Sequence, residues 1–364
     1  MKIAFLSDGA YAYASRAHSV IGGTERDIWL LARALAAAGW SAIVGVREAL
    51  ADGEHCTIDG VRYVGIGQGH ILRAWYKFLS SEQPEWLFWQ DADHMWGPAV
   101  EIAKHAGVRT IFSAASDGDV RPRCALFRRR RWWPLYAWGL LRTDKIFVQH
   151  GGQLAELAPQ WRAKASILPK VCIPASSIAE TVTVKPHAER AQYVAWVAML
   201  RQPKRPDVLI EIARQLPAIR FIVCGGPTPY MSPPGYGEWI VDALRAEPNI
   251  DFLGKVVPHK ALEVIANASI FLSTSDIEGF PSTFLEAWSV GTPVISFKID
   301  PDRIIQRKKL GAVLDNVKGA VSHIKAFMGS PQQREEIAVR ARRYVAEAHS
   351  AAAVTTALEC AIKR

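Results

Sequence analysis

The sequence predicts an α/β protein with two doubly wound sheets. Apolar, strand-like segments alternate with helix-like segments over most of the 364 residues. This alternation runs once before about Ala175 and again after about Ala191, with a mixed, polar segment between the two halves. Most strand segments are continuous apolar runs, which are typical of parallel strands covered on both faces. Regular alternation of strand and helix favours doubly wound sheets.

Eleven segments are predicted to be strands. In the first half they are Lys2–Ser7, Ala42–Val46, Arg62–Ile66, Trp86–Trp89, Thr110–Ala114 and Lys145–Gln149. In the second half they are Tyr193–Met199, Arg220–Cys224, Ile250–Leu253, Ser269–Thr274 and Thr292–Phe297. The best-defined helix is Gly23–Ala38, which ends at Gly39, a residue suited to the position after a helix.

Composition limits the class of protein and of partner. The chain is 49% hydrophobic and 22% charged, as in ordinary globular proteins, and no apolar run approaches the ~20 residues that cross a bilayer. Five widely spaced cysteines without a CxxC motif indicate free thiols in a reducing compartment. The first residues resemble a strand rather than a signal peptide, so we expect a cytoplasmic protein. The net charge of +9 favours an anionic partner: a nucleotide, an anionic membrane or nucleic acid.

The most informative segment is the stretch from Glu278 to Glu286, EGFPSTFLE. An apolar strand precedes it and a helix follows, so Glu278 lies on a strand-to-helix loop and Glu286 lies inside the helix. Ligands of open α/β sheets bind beyond the carboxyl ends of the strands. Amides at a helix start suit a phosphate, and a carboxylate farther along can accept hydrogen bonds from two ribose hydroxyls. The segment therefore predicts a site for a nucleoside diphosphate that carries a further group.

Two other loops have the residues that a diphosphate requires. Gly22 and Gly23 open the first long helix, where glycine lets backbone amides approach a phosphate closely. Arg201 and Lys204 follow the first strand of the second half. Together these two cations can hold a diphosphate and neutralise its charge as it departs.

Two acidic triplets raise the question of a metal ion. Asp91-Ala-Asp93 and Asp117-Gly-Asp119 each have the spacing that can hold Mg²⁺ or Mn²⁺ against a diphosphate. Short acidic triplets also arise by chance in loops. If Arg201 and Lys204 hold the diphosphate, a metal is redundant, so we expect no metal site and no cofactor.

A basic and aromatic segment covers Arg121 to Trp138. It contains four consecutive arginines followed by two tryptophans: Arg128, Arg129, Arg130, Arg131, Trp132 and Trp133. Such a segment suits an anionic membrane surface or an anionic acceptor, and interleaved basic and aromatic residues also suit single-stranded nucleic acid. An amphipathic helix with solvated arginines is a further alternative. We expect the membrane or acceptor role and no nucleic acid.

Three segments in this order resemble the retaining glycosyltransferases of family four. They are GGTER at the first long helix, WVAMLRQPKRPD after the central polar segment, and EGFPSTFLEAWSVGTPVIS near the end. The resemblance covers essentially the whole chain and implies a GT-B fold, with two Rossmann-like domains facing one another across a cleft. It implies an acceptor-side domain at residues 1–180, a nucleotide-sugar domain at 181–348, and a last helix at 349–364 that crosses back to the first domain.

The resemblance also implies roles for individual residues. Glu286 is expected to hold the ribose hydroxyls, and Glu278 is expected to lie near the transferred sugar and the diphosphate. Arg201 and Lys204 are expected to neutralise the phosphates. Phosphate and base contacts are expected from the remaining donor-site residues: Gly22, Gly23, Gly254, Val256, Pro281, Ser282 and Thr283. Relatives carry a histidine after the strand at Thr110–Ala114, where this chain offers Asp117 as the candidate acceptor-side base.

The resulting hypothesis is a metal-independent, retaining glycosyltransferase, a hexosyltransferase that uses a UDP- or GDP-sugar. It would act on a glycan or lipid-linked acceptor in polysaccharide or glycolipid synthesis, with peripheral contact at the inner membrane face. Another GT-B enzyme, a sugar-nucleotide epimerase or a phosphorylase, is one alternative. A non-catalytic membrane or nucleic-acid binder on the same fold is the other.

Overall fold

The structure, a computed structural model, describes residues 1–16, 22–125, 130–173 and 175–363. The chain forms two compact units. Unit 1 contains Met1–Val171 and His349–Arg364, and unit 2 contains Cys172–Ala348. The sequence placed the division between domains after residue 180, whereas the two units divide after Val171.

Strands and helices alternate along both units. The strands are β1 (Lys2–Leu6), β2 (Ser41–Val46), β3 (His55–Ile58), β4 (Val61–Gly65), β5 (Trp86–Gln90), β6 (Arg109–Ser113), β7 (Lys145–Val148), β8 (Ala165–Ile167), β9 (Tyr193–Val197), β10 (Arg220–Cys224), β11 (Ile250–Gly254), β12 (Ile270–Ser273), β13 (Val294–Phe297) and β14 (Gly311–Leu314). The helices are α1 (Asp8–Ala14), α2 (Gly23–Ala37), α3 (Ile71–Glu82), α4 (Trp96–His105), α5 (Trp133–Arg142), α6 (Gly151–Glu156), α7 (Pro159–Arg162), α8 (Ala175–Thr181), α9 (Pro206–Arg214), α10 (Tyr236–Ala246), α11 (Pro258–Asn267), α12 (Ser282–Ser289), α13 (Ile304–Lys308), α14 (Val317–Gly329), α15 (Pro331–Ala348) and α16 (Ala351–Lys363).

Unit 1 is built on an eight-stranded sheet in the order β3-β4-β2-β1-β5-β6-β7-β8. Its strands pair in parallel except for β3, which runs antiparallel to β4. The chain moves outward from β1 through β2 to β4, and then starts again on the other side of β1 with β5. The strand order therefore reverses between β1 and β5, which is where open α/β sheets bind ligands.

Unit 2 has a six-stranded parallel sheet in the order β11-β10-β9-β12-β13-β14. Alternate side chains of β12 enter different cores: Phe271 packs with α11 and α12, whereas Ile270 and Leu272 pack with α9 and α14. Both faces of the sheet are thus covered by helices, which explains the continuous apolar runs in the sequence. The strand order reverses between β9 and β12.

The prediction of two doubly wound α/β sheets is confirmed. All eleven predicted strands are present, with ends that shift by one or two residues. Sequence reasoning missed β3, β8 and β14. Each has three or four residues and lies at the edge of its sheet. Runs of three or four residues are too short for a strand pattern to be recognised in the sequence.

The polar segment between the two halves is more ordered than its composition suggests. His187 and Arg190 are buried, and Arg190 donates hydrogen bonds to the carbonyl of Val290 at 2.7 Å and to Thr292 Oγ1 at 2.8 Å. Nε2 of His187 lies 2.8 Å from the carbonyl oxygen of Gly291. Burial lowers the pKa of His187 to about 4, so the ring is neutral and Nε2 donates. These buried bonds fix the segment to unit 2.

The last helix returns to unit 1. Trp40, directly after α2, donates a hydrogen bond from Nε1 to Glu359 of α16 at 2.9 Å. Two residues before α16, His349 Nδ1 lies 2.9 Å from the carbonyl oxygen of Lys170. Among the residues that the structure describes, no helix is both long and apolar enough to cross a membrane.

Candidate functional site

The loops after β9 and β12 meet at the reversal point of the unit 2 sheet. The amide of Asp276 donates a hydrogen bond to the carbonyl of Pro203 at 2.9 Å, and Thr274 Oγ1 donates to the carbonyl of Lys204 at 2.7 Å. Arg205 adds an ion pair to Asp276 at 3.1 Å. The parallel strand order places both loops at one edge of the sheet, and these bonds hold them together.

Lys204 and Glu278 form an ion pair at this edge. Lys204 ends a short 3-10 turn after β9, and Glu278 lies between β12 and α12. Their side chains are 14% and 16% exposed, so solvent screens the pair only weakly. The sequence places these residues 74 positions apart, and the fold brings them into direct contact.

Opposing effects act on the Glu278 carboxyl. Burial acts to raise its pKa, but the Lys204 ammonium, the Ser275 hydroxyl and the Arg201 guanidinium lower it, and the net pKa lies below its ordinary value. Glu278 is therefore a carboxylate at neutral pH. The site contains one buried anion facing two cations, which leaves net positive charge for a further anion.

Arg201 supplies the second cation. Its guanidinium lies 5.5 Å from the centre of the Tyr230 ring, at a distance typical of a cation–π contact. Its Nε is buried and has no hydrogen-bond partner among the described residues. A buried donor without a partner is costly, and a phosphate oxygen of a bound diphosphate would satisfy it.

Helix α12 begins beside this pair and carries Glu286. Pro281 precedes its first turn and has no side chain that can cap the helix, and Ser282 and Thr283 are the first two residues of the helix. Glu286 lies one turn further on and is 6% exposed. A helix start of this kind suits a phosphate. The assignment of Glu286 to a ribose stays a prediction.

Gly254 ends β11 at the same edge of the unit 2 sheet. It has φ +68°, a left-handed conformation that favours glycine, and its carbonyl accepts a hydrogen bond from the Gly225 amide at 2.8 Å. Val256, two residues on, packs partly buried against the core that contains α11 and α12. The contact of Gly254 and Val256 with a nucleotide base stays a prediction.

In unit 1, Gly22 precedes α2 and Gly23 begins it. A Cβ atom at Gly22 would lie 1.7 Å from Oε2 of Glu25, whereas one at Gly23 would meet nothing within 4 Å. The Glu25 carboxylate, at the end of a flexible side chain, thus lies beside Gly22 and places an anion next to the amides expected to reach phosphate. A phosphate contact at Gly22 and Gly23 stays a prediction.

Each acidic triplet contains an aspartate that accepts hydrogen bonds from nearby backbone amides. Asp119 accepts hydrogen bonds from the amides of Ala115 and Ser116 at 2.7 and 2.9 Å. Asp93 accepts one from the Met95 amide at 2.7 Å. Within residues 1–16, 22–125, 130–173 and 175–363, no three His, Cys, Asp or Glu side chains are grouped so that they could hold a metal ion.

Asp117 contacts two residues that sequence reasoning missed. Its Oδ1 lies 2.9 Å from Nε2 of His150 and 3.0 Å from Nε2 of Gln153. His150 and Gln153 lie at and just after the start of α6, which follows β7. Since β6 and β7 are parallel neighbours, their carboxyl ends and these loops meet at one edge. A histidine directly after a predicted parallel strand was the available signal.

The basic and aromatic segment includes Arg128 and Arg129, which lie outside the described residues. Arg130 and Arg131 are exposed in a 3-10 turn before α5. Arg131 lies over the Trp132 ring at 5.4 Å. Four large apolar side chains of this region are more than a third exposed: Trp132, Leu135, Trp138 and Leu141. We call these four residues, with Arg130 and Arg131, the α5 patch.

The opposite side of α5 packs closely against α4. A Cβ atom at Gly97 would lie 2.5 Å from the carbonyl oxygen of Leu135, and one at Gly139 would lie 2.6 Å from Cδ1 of Trp96. Tyr136 is fully buried and donates a hydrogen bond to the carbonyl of Asp119 at 2.7 Å. The helix therefore has one tightly packed side and one solvent-exposed aromatic side.

The chain matches a known family and known folds. Residues 178–344 match the family model for glycosyl transferases group 1. The structure of HepE from Anabaena in complex with UDP and glucose aligns over 100% of this chain and 99% of that one, with a TM-score of 0.74 and 12% identity. The protein therefore has the GT-B fold, and the glycosyltransferase family match lies within unit 2.

Two curated relatives share parts of this GT-B sequence. The D-inositol 3-phosphate glycosyltransferase of Mycolicibacterium smegmatis is 28% identical over 129 residues, which are 35% of this chain and 28% of the relative. The alpha-galactosylglucosyldiacylglycerol synthase of Streptococcus pneumoniae is 28% identical over 158 residues, 43% of this chain and 42% of the relative. These matches span less than half the length of the relatives.

Proposed function

We propose that this GT-B protein transfers a sugar from a UDP- or GDP-sugar to a glycan or lipid-linked acceptor, with retention at the anomeric carbon as in family four. The observation that carries the proposal is the cluster of Lys204, Glu278 and Arg201 at the reversal point of the unit 2 sheet. The curated relatives are named as a glycosyltransferase acting on D-inositol 3-phosphate and as a glycolipid synthase, which supports this acceptor class.

The proposed donor site combines three kinds of group. Arg201 and Lys204 bind the diphosphate and stabilise the charge that develops on it as the bond to the sugar breaks. The first amides of α12, at Ser282 and Thr283, bind phosphate oxygens. Glu286 accepts hydrogen bonds from the ribose. Two protein cations already supply the positive charge that a metal would bring, so we propose a metal-independent reaction.

A screen of UDP- and GDP-sugars tests the function. We expect one of them to raise the unfolding temperature, because a ligand present at 100 times its Kd stabilises the folded state by about 2.7 kcal/mol. The same compound should be consumed with release of the nucleoside diphosphate, and transfer to an added acceptor should keep the anomeric configuration, as read by NMR.

Two results of this screen would reject the proposal. Isomerisation of the donor without any acceptor would identify an epimerase. Absence of both stabilisation and turnover across the screen would leave a non-catalytic protein on this fold.

We also propose that the α5 patch binds an anionic membrane surface. Exposed tryptophan and leucine side chains beside arginines match the interfacial region of a bilayer, where aromatic rings sit at the headgroups and cations face anionic lipids. The contacts between arginine and tryptophan rings keep the charges beside the apolar side chains. This placement would bring a lipid-linked acceptor to the enzyme.

Replacing Arg128 to Arg131 by serine should abolish binding to phosphatidylserine vesicles in a flotation assay. Each basic residue near an anionic surface contributes about 1 kcal/mol, so four changes predict a loss of roughly 10²- to 10³-fold. The control replaces the partly exposed Arg340 and the exposed Arg343 of α15 by serine and should bind as the wild type does. Persistent flotation of the fourfold variant would assign the patch another role.

A further inference from the structure

The loop after β6 carries Asp117, a partly exposed carboxylate that is bonded through one of its two oxygens. Both hydrogen bonds that Asp117 makes within the described residues end on Oδ1, from His150 at 2.9 Å and from Gln153 at 3.0 Å. Oδ2 of the same carboxylate therefore has no protein donor there. The Asp117 side chain is 36% exposed, so a small polar group can reach that oxygen.

The two donors are buried and oriented. Gln153 is 1% exposed, and its Oε1 accepts a hydrogen bond from the Gln149 amide at 2.8 Å, which leaves Nε2 to donate to Asp117. Nδ1 of His150 accepts from the Gln153 amide at 3.4 Å, so Nε2 carries the hydrogen that Asp117 accepts. Burying such polar side chains is costly unless they are bonded. Here their bonds fix a partly exposed carboxylate.

The backbone of the loop that carries Asp117 is also fixed by hydrogen bonds that involve Asp119. Asp119 bonds the amides of Ala115 and Ser116, and Ser116 Oγ donates to its other oxygen at 2.8 Å. Tyr136 binds the carbonyl of Asp119 from the buried side of α5. Asp117 is thus fixed at its backbone and at one carboxylate oxygen. This is the preorganisation expected of a group that orients a ligand.

We propose that Asp117 Oδ2 accepts a hydrogen bond from the acceptor hydroxyl, or from water when no acceptor is present. His150 and Gln153 act as positioning residues that hold the carboxylate in place. The inference rests on the transferase function proposed above and deepens it, since it assigns a hydroxyl site to the loops after β6 and β7 of unit 1. A carboxylate can accept a hydrogen bond from any hydroxyl group, so the same site can bind either the acceptor hydroxyl or water.

Hydrolysis of the sugar nucleotide that the wild type consumes fastest tests this inference, with water as the probe. Asp117→Asn keeps one oxygen that can accept hydrogen bonds from His150 and Gln153. It replaces Oδ2 by an amide nitrogen, which cannot accept a hydrogen bond from a hydroxyl. We expect its kcat to fall roughly 10- to 100-fold, the loss typical of a hydrogen bond to a charged group, while the KM for the donor stays unchanged. Gln153→Glu, which keeps the bond to the Gln149 amide but cannot donate, should lower kcat in the same way.

His150 separates a positioning role from a structural one. His150→Ala should lower kcat, and His150→Gln should recover most of it because its amide can donate the same hydrogen bond. His105→Ala, at the exposed last residue of α4, should behave as the wild type. A lower unfolding temperature with unchanged kcat for His150→Ala would overturn the inference, as would a wild-type kcat for Asp117→Asn. If the wild type transfers the sugar but does not hydrolyse the donor, the same variants are compared with the acceptor in place of water. Absence of both stabilisation and turnover would reject the proposed function and the inference with it, whereas a wild-type kcat for Asp117→Asn on a donor that is consumed would overturn the inference alone.

Discussion

Replacing Lys204 by alanine should lower kcat by about 10²- to 10³-fold, the typical cost of removing one preorganised donor to a developing negative charge. Lys204 faces Glu278 at the reversal point of the unit 2 sheet, beside the proposed diphosphate position. Steady-state measurement of nucleoside diphosphate release would give the rate. A kcat close to that of the wild type would contradict leaving-group stabilisation by Lys204.

Two controls separate this effect from a loss of folded protein. Removing one partner of a buried ion pair typically costs about 3–5 kcal/mol, because the other charge is left unpaired. The double variant Lys204→Ala with Glu278→Gln removes that unpaired charge and should recover stability but not rate. Arg220→Ala removes an exposed cation that pairs with Asp251 at the amino edge of the same sheet, and it should leave kcat unchanged.

Replacing Glu286 by glutamine should weaken UDP or GDP binding by roughly 10- to 100-fold. The side chain is nearly isosteric, so the buried position in α12 is kept, but a hydrogen bond to a charged group contributes about 1.5–3 kcal/mol. Isothermal titration calorimetry would measure the affinity, and unfolding would confirm an intact fold. Glu263→Gln on α11, at an exposed carboxylate that pairs with Lys260, is the matched control. Equal affinity of Glu286→Gln and the wild type would reject the ribose assignment.

The architecture could be predicted from the sequence because each buried parallel strand is a continuous apolar run. The site in unit 2 followed from the same pattern: once β9 and β12 are recognised, the residues after their carboxyl ends must share an edge. Strand order, however, is set by long-range pairing. The sequence alone could therefore place Lys204 and Glu278 on suitable loops but could not predict their direct contact.

Other parts of the site were not predictable for specific reasons. His150 and Gln153 act through a partner more than 30 positions away, and no local pattern connects them to Asp117. Gly22 matched a phosphate-binding motif, but the structure places the Glu25 carboxylate beside it, which puts an anion next to the predicted phosphate position. His187 and Arg190 belonged to a segment whose polar composition suggested a linker, because composition does not reveal the buried carbonyls that they bind.

The close approach of α5 to α4 has a consequence for sequence variation. A Cβ atom at Gly97 or Gly139 would clash with the neighbouring helix, so we expect any substitution at these two positions to disturb the packing of α4 against α5. The Leu135 side chain faces outward and is 37% exposed, whereas the exposed Trp138 still contacts α4 through a hydrogen bond from its Nε1 to Glu101 at 3.1 Å. A substitution of the exposed Leu135 side chain leaves both glycine contacts in place, so we expect such a variant to keep the packing of α5 against α4.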